Sequence, residues 1–154
     1  MKVIHLISGG DSGGAKTHVL SLLQHLNQTI TAQLVCFRDG PFAEEARQMG
    51  IPTMICGGNN VFRTRRKLAA YIREGGYEII HCHGSRANMI GAMLRKVTGL
   101  PVVTTVHSDY RLDYMGRPIS HLTFGTINAL ALRRLDYRIG VFDAMVDLLI
   151  SRGF

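Results

Sequence analysis

The stretch Ser8–His18, SGGDSGGAKTH, decides the fold because it joins an apolar run to a helical pattern. The run before it, Val3–Ile7, is continuously apolar apart from one histidine, which is typical of a buried strand. After it, apolar residues recur at the spacing of one helix face: Val19, Leu22, Leu23 and Leu26. A strand, a glycine-rich turn and a helix in this order predict the first unit of a parallel α/β sheet.

The rest of the chain repeats this alternation. Five more apolar runs predict strands: Leu34–Phe37, Thr53–Cys56, Glu78–Cys82, Val102–Val106 and Arg138–Phe142. Helical stripes lie between or after these runs: Ala87–Leu94, Ile119–Leu130 and Val146–Ile150, the last with Asp143 as its predicted N-cap. We therefore predict one Rossmann-like domain over residues 1–154, a doubly wound parallel sheet with right-handed crossovers.

The composition restricts the compartment and the partners. The 154 residues carry a net charge of +7, which favours anionic partners such as nucleotides, phosphorylated sugars, nucleic acid or an anionic membrane. The absence of Trp argues against nucleic acid held by stacking, so no nucleic-acid partner is expected. No apolar run suits a membrane span or a signal peptide, and the three cysteines are predicted to be reduced thiols of a cytoplasmic protein.

The opening loop resembles two phosphate-binding motifs and matches neither. Gly9 and Gly14 have the spacing of a P-loop, but Ala15 intervenes before Lys16 and Thr17. One extra residue turns a helix by about 100°, which points the lysine away from a bound nucleotide. The dinucleotide fingerprint also fails to close. What remains is a slim backbone and a helix start near Gly13, which suit an anion; the alternative is a simple glycine-rich turn.

Two histidines directly follow predicted strands. His83 and His107 lie at the edge where ligands bind in such sheets, although either could be a polar cap of a strand end. His81 and His83 share one strand face, yet a zinc site is not predicted because no second ligand pair stands at a suitable spacing. Three other histidines are expected to be structural or exposed: His5, His25 and His121.

Two further polar groups are candidates for binding. Ser85 and Arg86 open the helix after His83, where Arg86 could contact an anion or be solvated. The segment FRTRRKLAAYIR places a basic cluster beside an apolar helical stripe: Arg63, Arg65, Arg66 and Lys67. This is either a solvated helix face or a basic amphipathic surface for anionic lipid or a phosphorylated acceptor.

Three segments together resemble the N-terminal domain of GT-B glycosyltransferases of family 4. They are GGDSGGAKTHVLSLLQHL, IIHCHGSRANMIGAML and PVVTTVHSDYRLDYMG, and the similarity covers essentially the whole chain. The resemblance implies two Rossmann-like domains across a cleft, the N-terminal one holding the acceptor and the C-terminal one the nucleotide-sugar donor. It also implies retention of anomeric configuration, no metal and no other cofactor.

The resemblance assigns roles to residues. It implies that Gly13, Gly14 and Lys16 lie on a loop facing the donor diphosphate and sugar, and that His107 lies by the reacting sugar as the catalytic candidate. The acceptor side would be lined by His83, Ser85, Arg86, Asp109 and Tyr110. Many relatives carry an acidic residue where Lys16 stands.

The resemblance also implies that a donor-binding domain is missing, so these residues are expected to be the acceptor half of a hexosyltransferase, inactive alone. The basic balance fits a peripheral enzyme of envelope or capsular polysaccharide or glycolipid synthesis, acting on a sugar or lipid-linked acceptor. Two alternatives stay open: a nucleotide-binding α/β module with a degenerate phosphate loop, and a non-catalytic interaction domain.

Overall fold

The chain folds around a single parallel sheet. The structure is a computed structural model that describes residues 1–10, 13–107 and 126–154. Its six described strands are β1 Lys2–Ile7, β2 Thr31–Cys36, β3 Thr53–Ile55, β4 Ile79–His83, β5 Val102–Val106 and β6 Tyr137–Gly140. The described helices are α1 Gly13–Leu26, α2 Pro41–Gln48, α3 Val61–Gly75, α4 Ser85–Thr98, α5 Thr126–Arg134 and α6 Asp143–Ser151.

The strand order is β3-β2-β1-β4-β5-β6, and every neighbouring pair is parallel. This is the order of a dinucleotide-binding α/β sheet, so the predicted Rossmann-like fold is confirmed. The order reverses between β1 and β4, where the chains leaving the two strands diverge to opposite sides. A crevice therefore opens at the carboxyl ends of β1 and β4, the usual ligand position in such sheets.

Apolar side chains from alternating strand positions cover both faces of the sheet. Ile4 and Leu6 of β1 point to the face packed by α3, α4 and α5, whereas Ile7 points to the face packed by α1 and α2. Burial on both faces explains why the strands are continuously apolar rather than alternating. The central strands are thereby fixed in place, and the loops at their carboxyl ends are held on a rigid base.

Several predicted boundaries differ from the observed ones. Helix α2 was not predicted, because its buried residues are mostly small: Phe42, Ala43 and Ala46. Asp143 is the first residue of α6 rather than its N-cap; the cap position is Phe142, which offers no side-chain acceptor. The predicted last strand extended to Phe142, but β6 ends at Gly140 and Phe142 is exposed.

Candidate functional site

The candidate site lies at the carboxyl edge of the sheet, where the loops that follow β1, β4 and β5 begin. Helix α1 begins at Gly13 after β1, and α4 begins at Ser85 directly after Gly84, the residue that follows β4. The register pairs Ile7 with His83 across these two strands. The ends of β1 and β4 are therefore level, and the first turns of α1 and α4 flank the crevice.

The two glycine pairs of the opening loop have different roles. Gly9 has φ +87°, and a Cβ there would collide with the Arg38 backbone oxygen; a Cβ on Gly10 would collide with the Arg38 side chain. By contrast, a Cβ on Gly13 or Gly14 would meet no described residue within 4 Å, and Gly13 itself has φ +63°, a conformation that favours glycine. Gly9 is thus required by packing, whereas a side chain at Gly10 would only displace the flexible end of Arg38. Within the described part of the chain the second pair has no packing partner, and it leaves the backbone at the start of α1 without side chains.

An open groove of about 650 Å³ extends from this glycine pair along α1. It is lined by Gly14, Thr17, His18, Ser21, Leu22 and His25. The imidazole of His18 also meets His107 edge to face, with ring centroids 5.0 Å apart and planes at 71°. The groove on α1 therefore adjoins the end of β5, so the structure brings the glycine pair and His107 to one place.

His83 lies behind His107 and does not face solvent. Its side chain is only 1% exposed, and its Nδ1 lies 3.4 Å from Nε2 of His107. A direct contact between His83 and an acceptor does not fit this burial. His83 instead touches the site through the half-buried His107 ring.

His5 extends this row of imidazoles into the sheet. Its Nδ1 lies 3.1 Å from Nε2 of His83, and the strand register sets it directly beside His81. His81 in turn contacts the Thr105 hydroxyl through Nε2 at 2.8 Å. The sequence predicted only a structural or exposed role for His5. The signal that could have placed it was the β1–β4 pairing, which brings two distant segments together.

Burial keeps these imidazoles neutral. The pKa of His83 is well below the ordinary histidine value because of burial first, and then because of the neighbouring histidines. Burial and His81 lower the pKa of His5 in the same way. The pKa of His81 falls to about 4 for the same reasons, and that of His107 falls to about 4 through burial and the nearby His18. Near neutral pH, His107 is therefore a neutral hydrogen-bonding group rather than a cation.

The same cluster has the composition of a metal site, since one nitrogen from each of His5, His81 and His83 lies within 4.8 Å of the others. The sequence showed no second ligand pair at a suitable spacing, and the strand pairing supplies His5 as a third imidazole beside His81 and His83. The ring geometry is more informative. His5 and His83 are nearly parallel (11°) and meet nitrogen to nitrogen, while His81 stacks on the face of His83 at 4.4 Å. Lone pairs arranged in this way do not converge on one point, which favours a hydrogen-bonded row.

Lys16 and Arg86 already have partners in the chain. The Lys16 ammonium lies 2.5 Å from Glu45 on α2, so it ties α1 to α2 beside the loop. Arg86 donates to the Gly58 carbonyl at 3.1 Å and lies over the Phe37 ring. Ser85 is half-buried in the first turn of α4. Their predicted contacts with substrate stay predictions, as do those of Asp109 and Tyr110, which lie outside the described residues.

The basic cluster lies in the first two turns of α3, which begins at the carboxyl edge of the sheet. Arg63, Arg66 and Lys67 are exposed, and Arg65 lies over the ring of Phe62, which is itself 66% exposed. Within the described residues these four cations have no carboxylate partner. Among the described helices, none combines the length and apolar character needed to cross a membrane.

The family follows from the sequence as a whole. A model of Glycosyltransferase Family 4 matches residues 12–154. This chain belongs to Glycosyltransferase Family 4. The resemblance drawn from the three motif segments is thereby confirmed for this Family 4 domain. No curated protein sequence matches it.

Solved structures share the fold of this Family 4 domain. HepE from Anabaena, crystallised with UDP, is 17% identical with a TM-score of 0.66, over 99% of this chain and 50% of HepE. The lipopolysaccharide outer core galactosyltransferase WaaB is 17% identical with a TM-score of 0.67, over 100% of this chain and 43% of WaaB. UDP-GlcNAc 2-epimerase from Methanocaldococcus jannaschii is 13% identical with a TM-score of 0.71, over 100% of this chain and 43% of the epimerase.

At these identities the likeness establishes the fold, and a transferase and an epimerase both have it. The chain spans half or less of the length of these three proteins. The fold alone therefore does not identify a reaction. The class of reaction is indicated by the Family 4 match instead.

Proposed function

We propose that this Family 4 domain is the acceptor-side half of a retaining glycosyltransferase that takes a sugar from a nucleotide-sugar. The observation that carries the proposal is the meeting of the open Gly13–Gly14 helix start with His107, through the edge contact of His18. Family membership supports the reaction class. The UDP in crystals of HepE supports a nucleotide-sugar as donor.

In this reaction the bond between the sugar and the diphosphate breaks, and negative charge grows on the leaving phosphate. The N–H groups in the first turn of α1 are suited to stabilise that charge, and Gly14 lets the donor approach the backbone. The leaving phosphate takes the proton of the acceptor hydroxyl, so no protein nucleophile is required. Neutral His107 contributes a hydrogen bond to the reacting sugar. Most of the nucleotide would be held by a second Rossmann-like domain, without a metal or other cofactor.

The proposal is tested in an enzyme that joins these residues to a donor-binding domain. We expect transfer of a hexose from a labelled UDP-sugar to a glycan or lipid-linked acceptor by that enzyme, and none by the 154 residues alone. Replacing Gly14 by Leu is expected to lower transfer about 100-fold, because the side chain displaces the donor. The fold of the described residues should not change, because none of them lies within 4 Å of a Cβ there.

Gly14→Ala is the matched control, since it adds one carbon at the same open position. Its transfer should stay close to that of the parent enzyme, and both variants should keep the parent melting temperature. Transfer by the isolated 154 residues, or an undiminished rate in a folded Gly14→Leu enzyme, would contradict the proposal.

We further propose that the basic start of α3 contacts an anionic membrane face, as suits glycolipid or envelope polysaccharide synthesis. Exposed cations beside an exposed aromatic ring are the combination that binds anionic lipid surfaces. The cluster also lies at the same edge of the sheet as the proposed site, so a lipid-linked acceptor could reach His107 from the membrane. On this proposal the enzyme works at the inner face of the membrane.

Vesicle binding tests the membrane proposal. The chain is expected to sediment with vesicles containing anionic phospholipid at low salt, and less so with neutral vesicles or at high salt. Replacing Arg63, Arg66 and Lys67 together by Gln should weaken binding about 100-fold, at about 1 kcal/mol for each cation near the surface.

The chain offers a control of equal charge at the opposite edge of the sheet. Lys96, Arg133 and Arg134 are exposed in the last turns of α4 and α5, and their triple Gln variant loses the same charge. Equal weakening by the two triple variants would show that net charge alone drives binding, which would overturn the assignment to α3.

A further inference from the structure

His5, His83 and His107 form a row of imidazoles joined by hydrogen bonds. The buried end of this row, at His5, determines in which direction the hydrogen bonds run. His5, His83 and His107 meet nitrogen to nitrogen, at 3.1 Å and 3.4 Å. The ring centroids are 5.4 Å and 5.7 Å apart, so the rings meet end to end rather than face to face. Each contact is therefore a hydrogen bond between one N–H and one lone pair.

Neutral imidazole carries a single N–H, so only two arrangements of the row are possible. In the first, His5 donates from Nδ1 to His83, which donates from Nδ1 to Nε2 of His107. In the second, both bonds run in reverse, and His107 donates from Nε2. The two arrangements leave His107 with opposite nitrogens protonated. They also differ in whether the nitrogen at the buried end of the row carries a proton.

That buried end is Nε2 of His5, which has no hydrogen-bond partner in the part of the chain that the structure describes. The first arrangement leaves a bare lone pair there, and the second leaves a bare N–H. Among backbone groups, orphaned buried N–H groups are rarer than under-satisfied carbonyl acceptors, and we extend that preference to this imidazole nitrogen. His81 does not change this, since its Nε2 is bonded to Thr105 and its ring lies on the face of His83.

We propose that His5 and His83 are positioning residues that hold His107 with its proton on Nδ1 and its Nε2 turned inward. Nδ1 of His107, which has no hydrogen-bond partner among the described residues, then presents an N–H to the site. His107 would donate a hydrogen bond to an oxygen of the reacting sugar and would not act as a base. The meaning for catalysis rests on the proposed function, whereas the proton position is a property of this chain alone.

Nitrogen NMR reads the proton position directly. In the chain labelled with ¹⁵N-histidine near pH 7.5, long-range ¹H–¹⁵N spectra should show a protonated Nδ1 and an unprotonated Nε2 for His107 and for His83. A His107 ring protonated mainly on Nε2 would overturn the proposal. Because this needs no substrate, absence of transferase activity would leave the result interpretable.

A variant at the far end of the row tests the cause. His5→Asp places an acceptor oxygen near the former Nδ1, so His83 should donate inward and His107 should shift its proton to Nε2. Thr105→Val is the control, because it alters the partner of His81 and leaves the row intact. A folded His5→Asp chain whose His107 keeps its proton on Nδ1 would refute the mechanism. If that chain does not fold, the parent spectrum alone decides.

Discussion

Between about pH 7 and pH 5, the folded chain is expected to lose a substantial part of its stability. The buried His5, His81 and His83 all have pKa values below the ordinary histidine value, with burial as the main cause. The unfolded chain, whose histidines titrate near pH 6.5, therefore binds more protons over this range. The stabilisation is complete above that pH and is lost as the pH falls toward the folded values.

For His81, whose pKa is about 4, the loss between pH 7 and pH 5 is about 2 kcal/mol. His5 and His83 add losses of the same sign, against a total stability of about 5–15 kcal/mol for an ordinary domain. Urea unfolding followed by circular dichroism at several pH values measures the change. An unfolding free energy that is flat from pH 7 to pH 5 would contradict the neutral buried row.

A matched pair of variants assigns the effect. His5→Leu removes one buried imidazole and should reduce the dependence of the unfolding free energy on pH, whatever its stability at pH 7. His25→Gln changes an exposed imidazole of α1 and should leave that dependence as it is in the parent. The comparison uses the slope with pH, so a general loss of stability does not affect it.

In an enzyme completed by a donor-binding domain, His107→Ala is expected to lower kcat by about 10²–10³, with little change in KM. The lost group is a preorganised donor to charge that develops during transfer, and removal of one such donor has an effect of this size. An effect on kcat rather than KM follows because the hydrogen bond strengthens in the transition state. Initial rates with a labelled nucleotide-sugar measure both constants.

Amide variants at the same position separate the two nitrogens of His107. Asn places its amide near the position of Nδ1, whereas Gln reaches toward that of Nε2. If the outward Nδ1–H carries the function, His107→Asn should recover part of the rate and His107→Gln should not. An unchanged kcat in His107→Ala would remove His107 from the site.

Most of the fold was predictable because the central strands are buried on both faces. Val102–Val106 was predicted with its observed bounds, since a run of β-branched residues leaves little choice of structure. Helix α2 was missed because alanines supply most of its buried stripe. The order of the strands within the sheet could not be predicted either, because the pairing of β1 with β4 joins segments more than 70 residues apart.

The candidate site was predicted only in outline. The sequence nominated Gly13, Gly14 and His107 from the carboxyl-edge rule and the family resemblance, and the structure brings these elements together. It could not show that Lys16 pairs with Glu45, because α2 itself was not foreseen.

The sequence by itself determined the parallel α/β sheet, the glycine-rich start of α1 and membership of Glycosyltransferase Family 4, because periodicity and local motifs are written in neighbouring residues. Tertiary structure alone decided which glycines are held by packing against Arg38 and which stay open. It also decided that His5 stands behind His83 and His107. Hydrogen bonds and burial at those histidines depend on strand order, and strand order is a property of the whole folded chain.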